Sequence, residues 1–178
     1  MLYKVAFVIQ LTFEPAYDAY HSMFRMLRLR ETIRDIGALD IDVARILDFY
    51  LLFPFRLSAI RLKREDGRIR SIGRRYVKTR PYSEMPDDVV LLNRMKPIQY
   101  AALSTLAGKQ LIDAGALEEE QVKPTDGSVS EALATRIGVV NQQDAELLSA
   151  LATLATNYTL TGPDGLKARS GLMEHRYD

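Results

Sequence analysis

The sequence predicts a mainly α (α+β) protein, and three observations predict it. Apolar residues recur at helical spacing in several segments. Most of those segments are bounded by Pro, Asp, Asn, Ser or Gly at positions that start or stop helices. A short apolar run, VVLLNRM, is followed by Met95-Lys96-Pro97 and then by a longer helical pattern, which is helix-turn-helix spacing. Before it lie two basic arms, RLSAIRLKR and RIRSIGRRYVK, around the turn signal Glu65-Asp66-Gly67. Read as a short hairpin, those arms complete a winged helix-turn-helix core, with additional N- and C-terminal helices around it.

Residues 2–11 read as a strand, because Val5, Phe7 and Ile9 alternate with smaller or polar neighbours. Pro15 opens a helix from Tyr17 to Ile36, closed by Gly37. Its wheel carries Tyr17, Tyr20, Met23, Phe24 and Leu27 on one side. Met26, Leu29, Ile33 and Ile36 lie on the other, so the helix is packed on two faces or meets a partner. Asp40 or Asp42 caps a second helix, from about Val43 to Phe53, that is apolar nearly all round and stops at Pro54.

Pro86-Asp87-Asp88 introduces VVLLNRM, and Pro97 stands at a first helical position before IQYAALSTLAGKQLIDA, ended at Gly115. Ser130 caps EALATRI, which stops at Gly138. Asn141 with Asp144 opens a helix whose Leu147, Leu151, Leu154 and Tyr158 share a face. The tail TGPDGLKARSGLMEHRYD begins with turn chemistry. The expected organisation is one domain over 1–178, with a winged-helix core near 41–117 and a C-terminal helical extension near 128–178.

Composition narrows the function. The chain has 178 residues, is 47% hydrophobic and 26% charged, and contains no cysteine. Disulfides and Cys-based metal sites are thereby excluded. The N-terminal run lacks a basic n-region and a small-residue cleavage site, and no stretch approaches the roughly 18 apolar residues of a spanning helix. A cytoplasmic protein without membrane contact is expected. The net charge of +1 hides an asymmetry: residues 1–55 carry −1, residues 56–80 carry +8 and residues 81–178 carry −6.

Enzymatic signatures are missing. GxxxxGK[ST] and GxGxxG do not occur, and Ser104 and Ser149 lie mid-helix without a matched base. Asp18 and His21, three apart, make half a metal site with no second pair to complete it, and His175 lies in the tail. No cofactor, metal site or catalytic residue is expected. Asp48 is the one charge within ILDFYLLFPF. It pairs with Arg45 one turn earlier, or with another buried element, since a lone buried carboxylate is costly.

The candidate site is the basic segment: Arg61, Lys63, Arg64, Arg68, Arg70, Arg74, Arg75, Lys78 and Arg80, preceded by Arg56. Arginine dominates, which suits forked contacts to phosphate or carboxylate. Nucleic acid, an acidic protein surface and a solvated loop all stand as readings. A recognition helix over 98–114 offers Gln99, Lys109 and Gln110 but no arginine, which favours phosphate or protein contact over base readout.

Three stretches in this order, PAYDAYHSMFRMLRL (15–29), IDVARILDFYLLFPF (41–55) and MKPIQYAALSTLAGKQLI (95–112), resemble a known family. It is the winged-helix middle component of bacterial ABC three-component systems, the group that includes Lamassu-like anti-phage defence. The resemblance covers roughly 15–117, with nothing comparable seen in 118–178. It implies a non-catalytic adaptor between an SMC- or Rad50-like ABC ATPase and an effector, often a nuclease, in a complex that senses foreign DNA. The alternative is a stand-alone winged-helix DNA-binding transcriptional regulator.

Overall fold

The computed structural model describes residues 15–80 and 85–172. The strand expected at 2–11 and His175 lie outside these residues. Within them the chain is mainly helical. The helices are α1 (Ala19–Ile33), α2 (Ile41–Leu52), α3 (Arg68–Arg75), α4 (Asp88–Gly108), α5 (Ala114–Glu118), α6 (Glu131–Gln143), α7 (Ala145–Asn157) and α8 (Leu166–Ser170). Two-residue strands β1 (Leu39–Asp40) and β2 (Gln121–Val122) pair antiparallel, Leu39 opposite Val122 and Asp40 opposite Gln121. The Ile41 N–H donates to Glu120 O at 2.8 Å and continues the clip into the first residue of α2.

Helix α2 is the centre. Asp40 caps it, its carboxylate accepting from the Asp42 N–H at 2.8 Å. All of Ile46, Leu47, Phe49 and Tyr50 are buried. The rings of Phe49 and Tyr50 meet edge-on at 5.5 Å, and those of Phe49 and Phe53 at 5.2 Å. Each such side chain contributes about 1.5–3 kcal/mol by leaving water. Pro54 stops the helix, as expected, and starts a 3-10 helix over Pro54–Ala59. Helices α1, α4 and α7 pack around α2. Leu147, Leu151 and Leu154 of α7 and Tyr158 just after it are buried, so the C-terminal part of the chain supplies a wall of the core.

A polar network runs through this apolar centre. Asp48 is fully buried and accepts from Arg25 Nε of α1 at 2.6 Å and Nη2 at 3.2 Å. Gln99 of α4, also fully buried, donates to Asp48 Oδ2 at 2.9 Å and accepts from Arg45 Nε at 3.1 Å. Arg45 turns instead to Asp42, which Lys167 of α8 reaches at 2.6 Å. Burial pushes the Asp42 carboxyl up, but bonds from Lys167 and Arg45 outweigh that and hold it below its ordinary value. Its stabilising contribution is present above the unfolded carboxylate value and is lost as pH falls through the lower folded one. Asp48 therefore pairs with another element, and Arg45 is not its ion-pair partner.

Four expectations of element boundaries change. The helix-turn-helix break at Met95-Lys96-Pro97 is absent: α4 runs through it, with Pro97 inside. Its buried face, Leu91, Leu92, Met95, Gln99, Ala102, Leu103 and Leu106, keeps one helical period across the proline. Pro97 and Asn93, whose carbonyl loses its partner, both lie on the exposed side, where water substitutes. The hairpin expected within 56–80 is also absent. Ile69 and Ile72 sit three apart, a helical spacing, and α3 buries them against the 3-10 helix. Gly73 permits that approach, since a Cβ there would stand 2.5 Å from Ser58 N.

The third change lies in α6, which passes Gly138 without stopping. A Cβ at Gly138 would meet nothing, so the glycine loosens the helix by about 1 kcal/mol without breaking it. Asn141 accordingly sits inside α6 and binds Arg28 of α1 rather than capping. The fourth is the end of α4, expected at Gly115: the helix closes at Gly108, and Gly115 lies inside α5. At the other end of the core, α1 starts at Ala19 and not at Tyr17. Asp18 caps α1, Gly37 at φ +93° closes the turn after it, and Ser130 caps α6.

Two predictions follow from this packing. Pro97→Ala should stabilise the chain by about 1–2 kcal/mol in urea melts, because a continuous helix regains a hydrogen bond that a first-turn proline would not be missing. Asp48→Ala should cost about 3–5 kcal/mol by stranding Arg25, while Arg25→Met/Asp48→Leu should recover most of that loss.

Candidate partner-binding surface

The basic segment divides into four groups. The first, Arg61 and Lys63, zips onto the C-terminal segment. Arg61 N–H donates to Arg169 O at 3.0 Å, Arg169 Nη1 returns to Arg61 O at 3.1 Å, and the Arg61 guanidinium also reaches Ala168 O. Lys63 N–H donates to the Tyr158 hydroxyl at 2.9 Å, and its ammonium reaches Asn157 O at 2.7 Å over the Tyr158 ring. Buried Asp66 locks this junction, accepting from the Tyr158 hydroxyl at 2.7 Å and from Asn157 Nδ2 at 3.2 Å.

The second group is Arg56, which pairs with Asp88 and lies over the rings of Phe49, Phe53 and Phe55. Its role is to bind the 3-10 helix to the start of α4. The third, Arg68 and Arg75, is two helical turns apart on the α3 flank facing α7. Both engage the Glu146 carboxylate, Arg68 on Oε1 at 3.0 Å and Arg75 on Oε2. Arg75, then Arg68, hold that carboxyl below its ordinary range. Between α3 and α7 lies an open groove of about 420 Å³, lined by Asp66, Ile69, Ile72 and Glu146 among others.

The fourth group remains outward. Arg64, Arg74, Lys78 and Arg80 are exposed and have no ion-pair partner among the described residues. Arg70 is half-buried, and its Nε has no hydrogen-bond partner among them. On the α3 wheel, Arg70 and Arg74 project from the flank opposite Arg68 and Arg75, with buried Ile69 and Gly73 between. Lys78 and Arg80 follow in and after a short 3-10 turn, Val77–Thr79. The helix thus carries one flank whose two guanidinium groups share a carboxylate of its own chain and one that is purely cationic. Nothing in the composition distinguished them, although a wheel drawn on Ile69 and Ile72 would have done so.

Other sequence candidates fall into structural roles. The Asp18 carboxylate accepts from the His21 backbone N–H at 2.8 Å, which is an N-cap. No group of three or more potential metal ligands occurs among the described residues. Gln99 is fully buried and cannot read bases, while Lys109 and Gln110 are exposed at the end of α4. Missed altogether were the buried arginines of α1: Arg28 reaches Asn141 and Asp144, and Arg30 reaches Leu111 O at 2.6 Å and Thr125 O at 2.7 Å. No described helix is long and apolar enough to cross a membrane.

Compared with known proteins, the chain matches over residues 11–178 a family described as ABC-three component (ABC-3C) system Middle Component 5. The match takes in 118–178, beyond the reach of the sequence resemblance. No curated protein and no solved structure matches the chain.

The two classes of charge should separate in denaturation. Arg74→Glu and Arg80→Glu should leave urea stability within about 0.5 kcal/mol, as exposed sites away from packing do. Asp66→Ala should cost about 1–3 kcal/mol by leaving the buried hydroxyl of Tyr158 without its acceptor.

Proposed function

The chain belongs to the Middle Component 5 family of ABC three-component systems, and from that premise we propose that it is a non-catalytic adaptor. It joins an SMC- or Rad50-like ABC ATPase to an effector, a nuclease in the simplest case, within a bacterial anti-phage or anti-plasmid defence complex. Membership as a middle component implies partner subunits, and it is the single observation that carries this reading. The resemblance of 15–29, 41–55 and 95–112 to Lamassu-like middle components supplies the finer assignment of ATPase and effector. Catalysis belongs to those partners, and the activity of this subunit is to hold them together.

The surface offered to a partner is the outward flank of α3 with its continuation, Arg64, Arg70, Arg74, Lys78 and Arg80. Its charges are left over after the rest of the segment has been satisfied within the chain. The stand-alone regulator is the weaker reading on geometry. Such a protein needs an exposed helix following a turn, whereas α4 is continuous and buries Gln99 between Arg45 and Asp48.

Co-expression with the products of adjacent genes, followed by affinity purification, tests the adaptor role. Stable co-elution with a coiled-coil ABC ATPase is expected. A solitary dimer that elutes alone and binds one operator sequence would replace the adaptor by the regulator. Arg74→Glu/Arg80→Glu should weaken the subunit contact, or nucleic-acid binding by the assembly, by about tenfold or more at low salt.

A further inference from the structure

Glu146 stands where an external anion would stand. Its two carboxylate oxygens are each taken by one N–H of a different guanidinium, Arg68 on Oε1 and Arg75 on Oε2, a charge-assisted clamp of the kind that also holds a phosphate. The three side chains are 49%, 78% and 57% exposed for Glu146, Arg68 and Arg75, so water and ions reach the pair freely. Such exposed pairs contribute little to stability and exchange readily for a competing anion. Across exposed Ser71, on the solvent side of α3, lies the flank of Arg70 and Arg74, with Arg64, Lys78 and Arg80 at its ends.

We propose that this face binds the phosphodiester backbone of nucleic acid, and that Glu146 is a built-in competitor that the backbone displaces from Arg68 and Arg75. Displacement joins the two flanks of α3 into one cationic surface. The chemistry of the face favours a backbone over an acidic protein. Protein interfaces centre on buried aromatic or apolar anchors, whereas this strip offers guanidinium, ammonium and hydroxyl groups with Val77 as its one largely exposed apolar side chain among the described residues. Contacts to phosphate give affinity and position on the backbone and carry no sequence preference. It rests on taking the α3 strip as the partner-facing surface, and is independent of which subunits the chain joins.

Fluorescence anisotropy of the full chain with a labelled mixed-sequence duplex, titrated across salt, tests it. Glu146→Gln should bind about three- to tenfold more tightly at low salt. Its salt slope should steepen by up to about 2, since each added phosphate contact contributes about 0.9. Glu118→Gln, an exposed carboxylate elsewhere, should change neither. Adding Arg68→Gln and Arg75→Gln to Glu146→Gln should abolish the gain, with circular dichroism melts confirming that each variant folds. Unchanged or weaker binding by Glu146→Gln would overturn the proposal, as would a gain that persists without the two arginines. Preferential binding of poly-glutamate over duplex would overturn it in favour of an acidic protein. Co-elution with the ATPase is read separately, so failure here leaves the adaptor role standing.

Discussion

A buried ion pair sets the terms for the rest of the molecule. Asp48 has no access to water, so α2 can occupy its central position only if its charge is met from outside the helix. Arg25 of α1 and Gln99 of α4 meet it, and each is oriented by further contacts: Arg25 on Pro15 O at 3.0 Å, Gln99 on Arg45. Removing one partner leaves an uncompensated charge in a low-dielectric setting, a penalty larger than most single packing defects. The network therefore selects one arrangement of three helices where hydrophobic burial alone would tolerate several. Its outer end, Asp42 with Lys167, carries the same constraint to α8.

The charge asymmetry of the sequence is resolved in the same way, but at the surface and incompletely. The basic segment faces the acidic C-terminal half, and α7 takes up Arg68 and Arg75 through one residue, Glu146. Main-chain carbonyls take up the other two: Ala168 of α8 takes Arg61, and Asn157 at the end of α7 takes Lys63. What remains is a strip whose charge is not balanced by its own chain, and a strip of that kind is available to another molecule. The C-terminal helices thus cover the core and also decide which arginines are left outward.

Much of the architecture was legible. Asp40 and Ser130 as caps, Pro54 as a stop, and the face of Leu147, Leu151 and Leu154 are local signals, each enforced by one residue's own stereochemistry or spacing; Asp18 as the cap of α1 was found only in the structure. Two of the misreadings share one cause. Pro97 and Gly138 are strong local punctuators, yet the continuous buried face of α4 and the unobstructed surface of α6 override them. Pro97 costs least where its orphaned carbonyl faces water, and the unbroken period from Leu91 to Leu106 was the signal that it does. Glu65-Asp66-Gly67 is a turn, as read, but leads into a helix because Ile69 and Ile72 are three apart.

By itself the sequence determined the helical class, the all-round burial of ILDFYLLFPF, the family resemblance and the concentration of arginine in one segment. These follow from composition and from patterns within single elements. Only the tertiary structure decided which partner Asp48 has, that Gln99 is buried, that three arginines of α1 point inward, and how the nine candidate cations divide. Each of those depends on residues 20 to 120 positions apart, whose meeting is set by how helices pack and not by the spacing along any one of them.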